Sequence, residues 1–167
     1  MNEEPSGKEA NCRSTPSRFL LFTLDAGRYA LSLEVVERVV PALELTPLPN
    51  APDIVQGVFN LQGRIVPVMN LRRRFGLPER AIELSDHLIV AQTSGRTVGL
   101  VVDDTQGIVE TAAAEIVPAD AFLPELPYVR GVIRLQSGIV LIHDLARFLS
   151  LPEARRLDSA LAEATGP

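Results

Sequence analysis

The chain states one pattern twice. Gly57-Val-Phe-Asn-Leu-Gln-Gly-Arg-Ile-Val-Pro-Val-Met-Asn-Leu-Arg-Arg-Arg-Phe75 returns as Gly131-Val-Ile-Arg-Leu-Gln-Ser-Gly-Ile-Val-Leu-Ile-His-Asp-Leu-Ala-Arg-Phe-Leu149. Without a gap, 8 of the 19 aligned positions are identical, too many for two unrelated segments of ordinary strand composition. A weaker echo precedes each copy. Phe19 to Leu33 holds two apolar runs around Asp25-Ala-Gly-Arg28, and Leu88 to Val102 holds two around Thr93-Ser-Gly-Arg96. Each half therefore reads as hairpin, linker, second hairpin and short helix. The repeat is only two units long, so it is no solenoid. A duplicated β unit without a reactive constellation points to a binding body more than to a catalyst.

The length of 167 residues fits one compact domain or two small subdomains on a common core. The aliphatic supply is Val, Ile and Leu, which favours strands. Residues 18–24 and 28–33 read as the first hairpin, with Gly27 supplying the tight turn. Glu34 to Val40 fits a helical turn or a bent strand, and Pro41 ends either. Three prolines between Thr46 and Pro52 exclude a central strand and make a stiff surface loop. Residues 55–61 and 64–69 form the first long hairpin around Gln62-Gly63, followed by a short helix over 71–75 that puts Leu71 and Phe75 inward and leaves three arginines wet. Residues 77–86 link the halves. Leu88–Ala91, Thr97–Val102, a short strand at Gly107–Glu110, Val129–Leu135 and Ile139–His143 complete the second half, with a last helix carrying Leu145, Phe148 and Leu149. A second proline-rich loop holds Pro118, Pro124 and Pro127. Residues 1–17 read as a disordered tail, 18–150 as the folded domain, and 151–167 as a charged tail or loose helix. Many short strands, Gly and Pro turns and little helix describe an all-β barrel or sandwich, here doubled.

Charge narrows the function. A net charge of -5 argues against a protein that grips phosphate backbones. The single cysteine, Cys12, excludes an intramolecular disulfide. No apolar stretch approaches the roughly 20 residues needed to span a bilayer, and the N-terminus lacks an apolar secretion core. A soluble cytosolic protein is expected, beside a membrane only through a partner. His87 and His143 stand far apart without ligand spacing, so no metal is expected. Asp103 and Asp104 are strand neighbours on opposite faces and make a poor acid/base pair. Arg72-Arg-Arg74 reads as a solvated face, since no aromatics interleave it. No cofactor motif occurs.

Several of these segments together resemble the CheW family of chemosensory adaptors: Phe19-Leu-Leu-Phe-Thr-Leu24 with Tyr29, Leu48-Pro-Asn-Ala-Pro52, the Gly57 to Arg72 segment, Val98-Gly-Leu-Val-Val-Asp103, and the closing Gly131-Val hairpin. The resemblance covers roughly 18–150. It implies a mainly β fold of two interlocked, SH3-like, five-stranded barrel subdomains with short helices, and no catalytic residues. It implies an adaptor that couples methyl-accepting receptors to the regulatory domain of a CheA-type histidine kinase, with self-association in rings open to it. Val36, Arg38 and Gln62 fall at the receptor-facing positions; Gly57, Val58, Gly99 and Val101 fall at the kinase-facing ones. Three departures stand out. Gln62 replaces the family's Arg in Asn-Leu-Arg-Gly, Arg38 replaces a Glu, and Asn70 replaces the Asp of Pro-Val-x-Asp-Leu. A reversed charge at an interface mainly changes partner choice, so a specialised adaptor is expected. The alternative is a β-barrel module binding peptide or RNA outside chemotaxis, which the acidic charge disfavours for RNA.

Overall fold

The computed structural model describes residues 16–93, 95–118 and 128–165. The expected tail through Thr15, with Cys12, and the prolines at 124 and 127 lie outside them. Eleven strands run in chain order: β1 Ser17–Leu24, β2 Gly27–Ser32, β3 Val36–Pro41, β4 Val55–Leu61, β5 Arg64–Met69, β6 His87–Thr93, β7 Arg96–Val102, β8 Asp104–Thr111, β9 Ile116–Pro118, β10 Val129–Leu135 and β11 Gly138–His143. Helix α1 spans Leu71–Phe75 and α2 spans Leu151–Thr165; short 3-10 turns occupy Leu33–Val35, Ala113–Glu115 and Leu145–Arg147. The ambiguous segment after β2 therefore divides, with a 3-10 turn leading into a strand that begins at Val36.

The strands form two sheets that exchange hairpins. One has the order β8-β1-β2-β11-β10-β9 and the other β3-β6-β7-β5-β4. The β1–β2 hairpin of the first half sits between strands of the second. The β6–β7 hairpin of the second half sits between strands of the first. The exchanged hairpins join their hosts by parallel pairs, Tyr29 beside Leu141 and Gly99 beside Val68. Neither half can complete a sheet alone, which is the physical content of the expected interlock. The first sheet has one strand more than expected, the three-residue β9.

Burial explains why the strands read as continuous apolar runs. Alternate residues of a strand face opposite sides. On β1, Phe19 and Leu21 enter a cluster with Ala30, Ile133, Val140 and Ile142, to which every strand of the first sheet contributes. Leu20, Phe22 and Leu24 enter a different cluster between the sheets. On β6, Leu88 and Val90 join Phe59, Leu61, Val66 and Val68 inside the second sheet, while Ile89 and Ala91 face the inter-sheet core. Each sheet thus curls around its own core, and a third core welds them. Strands buried on both faces lose the alternation of half-exposed ones.

The repeat is carried into geometry. In both copies the long hairpin shows a register shift at its first pair, between Val55 and Gly57 and between Val129 and Gly131. Another segment crosses each glycine. A Cβ on Gly57 would lie 2.7 Å from the Thr46 carbonyl oxygen, and one on Gly131 would lie 2.9 Å from that of Val117. Thr46 and Val58 exchange two backbone hydrogen bonds there, and β9 pairs with Gly131 and Val132 in the other copy. The glycines are needed because a second backbone occupies the space of a side chain.

Of the two readings of the C-terminal segment, a charged tail or a loose helix, the structure shows a helix. Leu151–Thr165 is a regular helix that buries Leu157 in the inter-sheet core and also buries Ala160. Its start is a capping box. The Glu153 N–H donates to Ser150 Oγ at 3.2 Å, and the Ser150 N–H donates to the Glu153 carboxylate at 2.9 Å.

Candidate protein-binding surfaces

The receptor-facing candidates lie on β3 and the β4–β5 turn. Val36 pairs with Ala91 and packs on the inter-sheet core. Arg38 is exposed opposite Val90, with its Nε 3.7 Å from Glu37. Gln62 is exposed at the turn with φ 52°, followed by Gly63 at φ 91°, so both loop residues are left-handed as a type I′ hairpin requires. The Gly63 N–H donates to Asn60 Oδ1 at 2.7 Å and fixes the turn.

Two residues missed by sequence reasoning join these elements. Arg64, just past the turn, donates to the Glu37 carboxylate at 2.6 Å, and Gln92 donates to it at 3.1 Å. The hydrogen bond from Arg64, then that from Gln92, holds the Glu37 carboxyl below its ordinary value. Arg64 also donates to Thr97 Oγ1 at 3.3 Å. The opposite charges absent from positions 38 and 62 are thus present one residue before and two after. No local pattern marks this pairing, since Glu37 and Arg64 stand 27 residues apart and meet only across the folded sheet.

The kinase-facing candidates are mostly packed. Gly57 and Gly99 both pair with Val68, so the three form one row across β4, β5 and β7. Gly57, Val58 and Gly99 are buried and Val101 is half-buried. A Cβ on Gly99 would meet Leu88, Val68 and Phe59 at 3.1–3.3 Å, inside the second sheet. The glycines shape this face through backbone position rather than side chains.

Of the three arginines of α1 expected to be solvated, Arg73 is exposed but Arg72 and Arg74 are largely covered, and each of the three finds a partner. Arg72 is 9% exposed and bridges Asp25 and Asp103, at 2.6 Å each. Arg73 pairs with Glu79 at 3.1 Å. Arg74 pairs with Glu153 at 2.6 Å, and its guanidinium lies over the Tyr128 and Phe148 rings. The helix is one turn long and lies in the seam, so Arg72 and Arg74 meet protein while Arg73 stays exposed. Arg80 extends the network with a two-pronged bond to Asp86 and a 2.7 Å bond to Asp103. Burial alone would raise the Asp103 carboxyl, but the bonds from Arg72 and from the Asp25 N–H hold it below its usual range. Asp104 turns the other way, toward His87 at 3.3 Å.

Asn70 has a local explanation. Its side-chain oxygen accepts from the Arg73 N–H at 3.0 Å, capping α1, and its amide nitrogen donates to Glu79 at 3.0 Å. An aspartate could cap but could not donate. His143 is 3% exposed and lies edge-on to Phe75 and Phe148, with both ring nitrogens unpartnered. Burial pushes its pKa down to about 3, so the ring is neutral. Among the described residues, no three acidic, His or Cys side chains cluster to hold a metal, and no helix is long and apolar enough to cross a membrane.

Grooves open on the seam. One of about 380 Å³ is lined by Met69, Val98, Leu145, Phe148, Leu151 and Ala154, among others, and a second of about 270 Å³ shares Thr93, Leu145 and Ala146 with it. An interlocked pair of curled sheets, with ion pairs across its seam and a largely apolar groove beside them, defines a protein-binding scaffold.

The family model described as CheW-like domain matches residues 18–153. The chain therefore belongs to the CheW-like family and is a chemotaxis scaffold protein. The chemotaxis protein CheW of Klebsiella aerogenes is 31% identical over 143 residues, 84% of this chain and 86% of that one. Protein FrzA of Myxococcus xanthus is 32% identical over 100 residues, 60% of this chain and 62% of that one. The solved scaffolding protein TtCheW of Thermoanaerobacter tengcongensis superposes with a TM-score of 0.76 at 25% identity, covering 83% of this chain and 95% of that one.

Proposed function

We propose that this chain is a non-catalytic adaptor that couples methyl-accepting chemoreceptors to a CheA-type histidine kinase. It acts in the cytoplasm and reaches the inner membrane only through its receptors. The observation that carries this reading is the match of the two-sheet body, over 18–153, to the CheW-like family. Val36, Arg38 and Gln62 form the receptor side; Gly57, Val58, Gly99 and Val101 form the kinase side, and copies associate in rings. Contacts of this kind are individually moderate and gain strength from multivalency in an array.

The pathway is a specialised one. Arg38 and Gln62 remove the family's charges from two interface positions, while the Glu37–Arg64 pair sets the opposite charges into a new register. The similarity to FrzA is in keeping with a branch of its own. Calorimetric titration with the regulatory domain of the kinase encoded nearest this gene tests the adaptor role. Saturable one-to-one binding, micromolar or tighter, is expected; no heat and no co-elution overturns it. Exchange of Arg38→Glu and Gln62→Arg together is expected to weaken binding to the cognate receptor tip, and unchanged binding contradicts the specialisation.

A further inference from the structure

We propose that α2 is a built-in occupant of the inter-sheet seam, holding the place of a partner's acidic amphipathic helix and leaving when that helix binds. The inference rests on the adaptor reading and adds a competitor to it.

Three observations carry it. First, α2 is bound as a ligand would be. Leu157 enters the inter-sheet core, Leu161 packs against it, and Ala160 is buried. The carboxylates around this stripe meet groups of the body. Glu153 pairs with Arg74 of α1 at 2.6 Å, Asp158 with Arg96 of β7 at 2.6 Å, and Glu163 with the Asn50 amide of the proline loop at 3.1 Å. Asp158 and Glu163 lie on opposite flanks of the stripe at 100° per residue. The seam therefore accepts a narrow apolar ridge with an acidic flank toward Arg96 and a polar one, where Glu163 meets Asn50 and Arg156 meets the Ala51 carbonyl oxygen.

Second, the first turns of α2 fill their seat poorly. The stripe has only two leucines among alanines, Leu151 is largely exposed, and the groove of about 380 Å³ stays open beneath its first turns. A helix with larger apolar residues at the places of Leu151 and Ala154 gains contacts that α2 does not make. Third, the family match ends three residues into α2, whereas the seam beneath lies within it.

A seat filled for most of the time lowers a competitor's apparent affinity in proportion to the time it is free. Loosening α2 without altering the seat then tightens partner binding. Glu153→Gln with Asp158→Asn does this in the full chain, because both residues belong to α2.

The test uses the full-length protein, a soluble fragment of the receptor's cytoplasmic tip as probe, and amide hydrogen exchange with calorimetry as readouts. With the wild-type chain, saturation by the tip is expected to strip protection from residues 151–165 and leave β1 and β6 protected. The double variant is expected to bind the tip about tenfold more tightly, about the effect of losing two partly covered ion pairs, with kinase affinity unchanged. Tip binding that leaves residues 151–165 fully protected overturns the inference while the adaptor reading stands. Absence of tip binding alongside intact kinase binding also overturns it, since the seam then has no helical partner. The wild-type exchange measurement decides even if the variant does not fold.

Discussion

The Arg72 guanidinium meets the Asp103 carboxylate at 2.6 Å, joining α1 of the first half to the end of β7 in the second. Its other prong reaches Asp25 in the β1–β2 turn. One side chain thus ties an exchanged hairpin of each half to the shared seam. Arg72→Met leaves two carboxylates facing each other around an apolar chain. Breaking a buried pair costs about 3–5 kcal/mol; here both acids are partly solvated and Asp103 keeps Arg80, so a loss of about 2 kcal/mol in urea unfolding is expected. Arg72→Lys recovers part of it, because an ammonium cannot serve two acids with fixed prongs.

Gly131→Ala is expected to destabilise by about 1–3 kcal/mol, as overpacking does, because its Cβ would lie 2.9 Å from a backbone oxygen and 3.0 Å from Ile116. Gly57→Ala meets the same obstacle at Thr46 and loses a similar amount. The two differ in function. Gly57→Ala also weakens kinase binding, whereas Gly131→Ala does not. Denaturant midpoints set beside kinase titrations of both variants check the pair, and equal kinase affinities remove Gly57 from the interface.

His143 gives the fold an acid sensitivity. Its folded pKa of about 3 lies below the unfolded value near 6.5. Between those values the unfolded chain binds the extra proton. Stability is therefore complete above pH 6.5 and falls as pH drops toward 3, by about 2 kcal/mol at pH 5. Asp86, Asp103 and Glu153, held below their ordinary range, lose their contribution only at lower pH. Met69 stands at the matching place in the first copy, so His143→Met is the natural control. It is expected to flatten the profile between pH 7 and 5, and an unchanged slope contradicts the assignment.

Asn70 and Glu79 should behave as a coupled pair. Asn70→Asp sets a carboxylate where an amide now donates to Glu79 at 3.0 Å. A loss of about 1 kcal/mol is expected, the scale of one hydrogen bond, and Glu79→Gln should restore most of it. A double-mutant cycle reads the coupling; additive losses rule it out.

Most of the β architecture was legible because the duplication marks its own boundaries. Strands β4, β5, β10 and β11 fall where the repeated segments place them, and Gln62-Gly63 marks the turn. Part of what escaped had no local period. The three-residue β9 exists only because Gly131 opens space for it. The helix α2 hides its apolar stripe among alanines, yet Ser150-Leu-Pro-Glu153 is a helix-start pattern followed by Leu157, Ala160 and Leu161 at helical spacing. The arginine run misled because exposure depends on where a helix docks. The Glu37–Arg64 pair is long-range and visible only in the folded sheet. Nothing in one sequence could have announced it.

Coupling itself is the central claim, and sedimentation of the kinase with receptor-bearing vesicles tests it most directly. Full-length CheA-type kinase is mixed with vesicles carrying the cognate receptor, with and without this protein. The account predicts that the kinase pellets with the vesicles only when the adaptor is present. Kinase that pellets equally without it, or that stays in the supernatant with it, contradicts the account.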